Sequence, residues 1–155
     1  MTERVLIHRI PSGVPGLDDV LGGGIPEYSF NLVAGGPGCG KTTLAHQIMF
    51  ANASPVRPAL YISILGEPPI KMLRYQQQYS FFDTAQVGKS IRILHLGQEA
   101  LAGGLSKVLN CIIREVDGTN PSLVVVDSFR AVMRQRVLDL DGDLDIQSFV
   151  QRLAL

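Results

Sequence analysis

Apolar residues along the chain fall into short continuous runs separated by longer stretches with helical spacing. The runs predict buried strands at residues 30–34, 59–65, 91–96 and 123–126. They have no polar face, which is typical of parallel strands covered by helices on both sides of a sheet. Alternation of such strands with helices predicts an α/β domain with a mainly parallel sheet.

The stretches between the runs predict helices. The clearest covers residues 105–116, where apolar side chains recur at i, i+3, i+4, i+7, i+8 and i+11. Helices are also expected at 42–53, at 68–78 and from residue 146 onward. The last helical pattern is still running at Leu155. We therefore expect residues 1–155 to be the N-terminal part of one incomplete domain whose C-terminal strands are missing.

Composition narrows the class of protein. With 46% hydrophobic and 18% charged residues, the chain is expected to fold around a core and not to be disordered. It shows no signal peptide and no run of about 18 apolar residues, so we expect a cytoplasmic protein without a membrane partner. Cys39 and Cys111 lack the spacing of a zinc site or a disulfide framework, which favours a reducing compartment.

The charge balance bears on possible partners. The chain has 14 basic and 14 acidic residues, whereas a protein that mainly binds nucleic acid usually has a basic excess. Arg130, Arg134 and Arg136 form a small basic cluster. We interpret this cluster as a solvated or inter-subunit face, with a DNA contact as the less favoured alternative.

A glycine-rich segment carries the strongest chemical signal. Residues 35–42 read GGPGCGKT and match the pattern G-x-x-x-x-G-K-[ST] between a predicted strand and a predicted helix. In such a loop, successive backbone N–H groups face one anion, and the following helix adds the positive end of its dipole. The predicted nucleotide-binding residues are Gly36, Pro37, Gly38, Cys39, Gly40, Lys41, Thr42 and Thr43.

Two side chains of this loop and one distant acid have predicted roles. The Lys41 ammonium is expected to act on the β- and γ-phosphates and the Thr42 hydroxyl to bind Mg²⁺. Asp127 ends the apolar strand at 123–126, where a P-loop protein places the carboxylate that holds Mg²⁺ through water. The alternative is an ordinary turn aspartate, and the upstream loop favours the metal role.

Glu67 follows the strand predicted at 59–65. Gly35, Glu67 and Asp127 all come directly after strands, and ligands gather at the carboxyl ends of parallel strands. A carboxylate at this rim can activate a water for attack on the γ-phosphate. The predicted catalytic residues are therefore Glu67 and Lys41. The alternative is a turn acid that the dipole of the next helix stabilises.

Residues 12–53, from SGVPGLDDVLGGGIP to the helix after the loop, resemble the ATPase domain of the KaiC family in the RecA/DnaB superfamily. VVVDS at 124–128 resembles the second nucleotide motif of that family. The resemblance implies a RecA-like P-loop NTPase fold, Mg²⁺-dependent binding and slow hydrolysis of ATP, and a signalling or regulatory role. It also implies a homo-oligomeric ring, typically a hexamer, with nucleotide at subunit boundaries.

The chain departs from the family pattern at one catalytic position. The family usually has two consecutive glutamates after the second strand, whereas this chain has the single acid Glu67 after Leu65 and Gly66. The family's phosphorylated serine and threonine pair has no counterpart, so autokinase activity is not inferred. Two rival functions are a non-catalytic ATP-dependent scaffold and an accessory ATPase of DNA recombination or repair.

Overall fold

The computed structural model describes residues 6–64, 69–128 and 146–154. The helices and strands are, in chain order, β1 (Arg9–Ile10), α1 (Leu17–Val20), β2 (Ile25–Pro26), α2 (Lys41–Asn52), β3 (Ala59–Ser63), α3 (Pro69–Gln76), β4 (Ile91–His95), α4 (Gly97–Thr119), β5 (Leu123–Asp127) and α5 (Ile146–Leu153). β1 and β2 form a small antiparallel ladder, and β3, β4 and β5 form the main sheet.

The main sheet is parallel, with β3 between β4 and β5. Its register aligns the three carboxyl ends, since Ser63 pairs with both His95 and Asp127. All five residues of β3 are buried, as expected for a central strand with both faces covered. The prediction of a parallel sheet is confirmed for these three strands.

Alternate residues of β3 pack against different helices. Leu60 and Ile62 belong to a core cluster with Leu109 of α4 and Phe149 of α5. Tyr61 and its neighbours on the opposite face belong to a second cluster formed with α2 and α3. Helices therefore cover both faces of the sheet, and the predicted α/β architecture is confirmed. No helix in the described part of the chain is long and apolar enough to cross a membrane.

The strand predicted at residues 30–34 is wrong. These residues form no strand and are exposed, with Leu32 73% accessible to solvent. A strand is held by ladder hydrogen bonds to a neighbour, and no described strand pairs with this segment. The apolar run has the composition of a buried strand without the partner that would make it one.

The helix predicted at 105–116 is present but longer. α4 spans 23 residues from Gly97 to Thr119. Its first turns lack a clear apolar period and contain Gly103 and Gly104, so the sequence pattern predicts only the later part. The helix ends at Thr119, and the next residue, Asn120, has a left-handed φ of 44°, a conformation that asparagine tolerates at a helix C-terminus.

Candidate nucleotide-binding site

The glycine-rich loop leads directly into α2. Gly38 and Gly40 have φ values of 75° and 89°, in the left-handed region that glycine adopts without steric cost. Gly40 precedes α2 and has no side chain, so it does not cap the N–H groups of the first turn of the helix. Residues 31–40 are exposed. The loop therefore presents an open main chain beside the N-terminus of a helix, an arrangement suited to an anion.

Lys41 folds back over this loop. Its Nζ donates hydrogen bonds to the carbonyl oxygens of Gly35 at 3.0 Å and Gly36 at 2.7 Å. These acceptors are neutral, and an ionised phosphate oxygen would accept a stronger hydrogen bond from the same ammonium. The lysine charge is thus held at the loop.

Thr42 and Asp127 are brought together across 85 residues of sequence. The Thr42 Oγ1 donates a hydrogen bond of 2.7 Å to Asp127 Oδ2. Thr42 lies in the first turn of α2, and Asp127 is the last residue of β5. This contact joins the glycine-rich loop to the carboxyl end of the sheet, even though residues 30–34 do not form the predicted strand.

Tyr61 is a member of the site that sequence reasoning missed. Its hydroxyl donates a hydrogen bond of 2.6 Å to the same Oδ2 of Asp127. Burial raises the pKa of the Tyr61 phenol, and the hydrogen bond to Asp127 raises this pKa further. The signal in the sequence is a phenol within an otherwise apolar buried run, because a buried tyrosine hydroxyl usually has a hydrogen-bond partner.

His46 lies one turn along α2 from Thr42, and its ring packs against Tyr61. Its ring meets that of Tyr61 edge to face at a centroid distance of 4.6 Å. Burial lowers the pKa of His46 to about 4, against an opposing effect from the charge of Asp127. Neither ring nitrogen has a hydrogen-bond partner among the described residues. His46 is therefore neutral near pH 7.

The buried state of His46 predicts that stability falls in mild acid. Its pKa is lowered from 6.5 to about 4, so the unfolded chain takes up a proton first as the pH drops. Stability is lost from pH 6.5 downward, by about 2 kcal/mol at pH 5, and the loss levels off below the folded pKa. Urea unfolding of wild type and His46→Gln at pH 7 and pH 5 measures this contribution.

The exposed His95 provides the matched control. His46→Gln is expected to lose most of this pH dependence, whereas His95→Gln is expected to keep it. Other groups also contribute to the loss of stability in acid, so the comparison is made between variants at the same pH. An equal loss of stability on acidification in wild type and His46→Gln would show that His46 does not carry the effect.

A cavity of about 340 Å³ adjoins these groups. It lies between α2, α3 and the carboxyl ends of β3 and β5. Its lining residues, all of which except Met72 carry a polar side-chain group, are Thr42, Tyr61, Ser63, Met72, Tyr75, Gln76, Asp127 and Ser128. The backbone N–H of Ile64 donates to the carbonyl of Asp127 at 2.9 Å, which fixes the end of β3 against the end of β5.

The Thr42 hydroxyl and the Asp127 carboxylate are too few to hold Mg²⁺ alone, but they fit the ion together with the phosphates of a nucleotide. The described residues contain no group of three or more His, Cys, Asp or Glu side chains that could hold a metal ion. Mg²⁺ usually keeps several waters and binds one or two carboxylates together with substrate phosphates. A hydroxyl and a carboxylate 2.7 Å apart beside a phosphate-binding loop suit that mode of binding. Glu67 lies outside the described residues.

Three curated relatives illustrate the similarity to known proteins. A UPF0273 protein of Thermotoga maritima is 34% identical over 49% of this chain and 31% of its own length. A UPF0273 protein of Pyrobaculum aerophilum is 30% identical over 86% of this chain and 44% of its own length. The DNA repair protein RadA of Mycobacterium tuberculosis is 31% identical over 79% of this chain and 22% of its own length. The matched segments thus span less than half of each relative.

A family model provides the assignment. The model described as "ATPase: KaiC" matches residues 10–140, which include the glycine-rich loop, the main sheet and Asp127. The parallel sheet flanked by helices agrees with the RecA-like P-loop fold of that superfamily. The chain belongs to the KaiC family of RecA-like, ATP-binding ATPases.

Proposed function

We propose that this chain binds ATP together with Mg²⁺ and hydrolyses it slowly. The observation that carries the proposal is the hydrogen bond of 2.7 Å between Thr42 and Asp127. It holds a hydroxyl from the phosphate-binding loop and a carboxylate from the sheet at one point, next to the cavity that both residues line. Mg²⁺, when bound, neutralises charge on the phosphates.

Each residue of the loop has a role in this proposal. The backbone N–H groups of Gly36 and of residues 38–43 face the phosphates, whereas Pro37 has no N–H, and Lys41 exchanges its two carbonyl acceptors for phosphate oxygens. Thr42 and Asp127 hold the metal, Asp127 through water. Glu67 orients and deprotonates the attacking water.

Ring assembly is the second part of the proposal. Membership of the KaiC family supports a homo-oligomer, hexameric by resemblance, with nucleotide at subunit boundaries and a regulatory role. The competing function within the same fold is a scaffold that binds ATP without cleaving it. Phosphate release by the wild-type protein distinguishes the two, because the scaffold forms ATP-dependent oligomers without any release.

Lys41→Ala tests the phosphate site. The variant is expected to bind MgATP about 10- to 100-fold more weakly, since a hydrogen bond to a charged group contributes about 1.5–3 kcal/mol. Equilibrium titration with a fluorescent ATP analogue gives the affinity. Lys107→Ala removes the same charge from an exposed position on α4 and is expected to bind as wild type does. Equal affinity in wild type and Lys41→Ala would place the phosphates elsewhere.

A DNA repair ATPase is the second candidate function. The similarity to RadA over 79% of this chain favours it, whereas the zero net charge does not. Single-stranded DNA is expected to stimulate ATP hydrolysis if this function applies, and the stimulation should weaken steeply as salt is raised. Hydrolysis that is the same with and without DNA excludes it.

A further inference from the structure

We propose that Tyr61 is a positioning residue that fixes the Asp127 carboxylate for Mg²⁺ through a hydrogen bond to Oδ2. The inference rests on the proposed function, since it concerns the same metal. It adds a residue that the phosphate-binding motif does not contain. Three features of the structure carry it: the hydrogen bonds on Asp127, the anchoring of the tyrosine ring and the register of the two strands.

Both hydroxyl hydrogen bonds fall on the same oxygen of the Asp127 carboxylate. Thr42 and Tyr61 both donate to Oδ2, at 2.7 Å and 2.6 Å. Hydrogen bonds of this length from a hydroxyl to a carboxylate are charge-assisted and strongly directional. Two donors on one oxygen define the plane of the carboxylate, and Oδ1 is the oxygen that neither of these hydroxyls occupies.

The two donors are not equivalent. The proposed function also gives the Thr42 hydroxyl oxygen to the metal, and its hydrogen bond to Asp127 depends on how the loop is arranged around the nucleotide. Tyr61 is not part of the loop and is not proposed to bind the metal. Its side chain is only 2% exposed, and its ring packs in the core cluster on the α2 face of the sheet. The edge-to-face contact with His46 further limits rotation of that ring.

The strand register explains why a tyrosine can reach Asp127 from this position. Tyr61 pairs with Val125, and Ser63 pairs with Asp127, in the parallel ladder of β3 and β5. Side chains two residues apart on a strand share a face, so Tyr61 and Asp127 are diagonal neighbours. The Cα atoms of such neighbours are about 8 Å apart, because parallel strands lie about 4.8 Å apart and two residues advance about 6.6 Å along a strand. A phenol side chain spans this distance, and a shorter side chain does not.

Tyr61 is thus placed as a hydrogen-bond partner that orients the metal-binding carboxylate of Asp127 and does not itself bind the metal. Partners of this kind typically change metal affinity by about 10- to 100-fold when they are removed. Tyr61 also lines the cavity and belongs to the core cluster on the α2 face, so the residue lies between the core and the site. Removal of the hydroxyl alone should therefore free the carboxylate while leaving the ring packed.

Tyr61→Phe in the full chain is the experiment. The affinity for a fluorescent ATP analogue is measured in EDTA and then across a series of Mg²⁺ concentrations. The Mg²⁺ concentration that produces half of the change in analogue affinity is expected to be about 10-fold higher for the variant than for wild type. The affinity in EDTA is expected to be unchanged. Tyr79→Phe is the matched control, since the Tyr79 ring stacks on Phe81 at 5.4 Å and is partly exposed. The control is expected to match wild type.

The possible outcomes separate positioning from packing. A Mg²⁺ midpoint in Tyr61→Phe that equals that of wild type overturns the inference. An equal loss of affinity with and without Mg²⁺ also overturns it, because that result indicates damage to the fold and not to the metal site. A wild-type chain that binds the analogue equally well with and without Mg²⁺ contradicts the metal role as a whole. A wild-type chain that binds no nucleotide contradicts the proposed function itself.

Discussion

Glu67→Gln is expected to lower ATP hydrolysis by about 10²- to 10⁴-fold while leaving the affinity for MgATP nearly unchanged. The substitution keeps the size of the side chain and removes only its capacity to accept a proton. Loss of a general base slows the chemical step without removing a phosphate contact. Steady-state phosphate release and equilibrium binding of ATP, measured on the same preparations, report the two effects separately.

The neighbours of Glu67 along the chain support this expectation. On one side, Ser63 lines the cavity and the Ile64 N–H is bonded to the Asp127 carbonyl at 2.9 Å. On the other side, α3 begins at Pro69, and its Met72 lines the same cavity. The segment that carries Glu67 is therefore joined at both ends to elements that border the cavity.

Glu115→Gln on α4 is the matched control for Glu67, because α4 covers the opposite face of the sheet from α2. It is expected to hydrolyse ATP as fast as wild type. If Glu67→Gln also retains the wild-type rate, Glu67 is a turn residue and another group must activate the water. The binding role of the loop would stand in that case.

Asp127→Asn is also expected to have a large effect on ATP hydrolysis. We expect hydrolysis to fall on the order of 10²-fold and its dependence on Mg²⁺ to flatten. Asparagine is uncharged, and when its one acceptor oxygen takes the hydrogen bonds of the Thr42 and Tyr61 hydroxyls, an amide NH₂ group stands in place of Oδ1. A hard cation such as Mg²⁺ also binds more weakly near an amide than near a carboxylate. Phosphate release across a range of Mg²⁺ concentrations measures both changes.

Asp117→Asn makes the same chemical change at an exposed position of α4 and should leave both quantities unaltered. Nucleotide binding in EDTA should survive in Asp127→Asn, since the loop amides and Lys41 remain. A wild-type rate with a wild-type Mg²⁺ midpoint in Asp127→Asn would exclude this carboxylate from the metal site.

The main sheet could be predicted from the sequence because a buried parallel strand is apolar whatever its neighbour is. The runs at 59–65, 91–96 and 123–126 correspond to β3, β4 and β5 for that reason. The same rule fails at 30–34. Apolar composition indicates that a segment favours burial, but a strand also needs a hydrogen-bonded partner, and the run itself does not encode one.

Some residues of the candidate site could likewise be predicted from the sequence, and others could not. Thr42 and Asp127 could be found because a spaced motif and a strand-ending acid have local signatures. Tyr61 could not, since a tyrosine in an apolar run is read first as a core residue. Its contact with Asp127 depends on the register of β3 against β5, in which a shift of a single residue would turn the phenol to the other face.

The binding of MgATP at the loop is best measured by calorimetric titration of ATP into the wild-type chain, with Mg²⁺ and with EDTA. We expect saturable binding of one nucleotide per chain that is tighter with Mg²⁺, because Thr42 and Asp127 are already together at the loop. No saturable binding up to about 1 mM ATP, the upper end of usual substrate affinities, would contradict it. Equal affinity with Mg²⁺ and with EDTA would contradict the metal role of the Thr42–Asp127 pair.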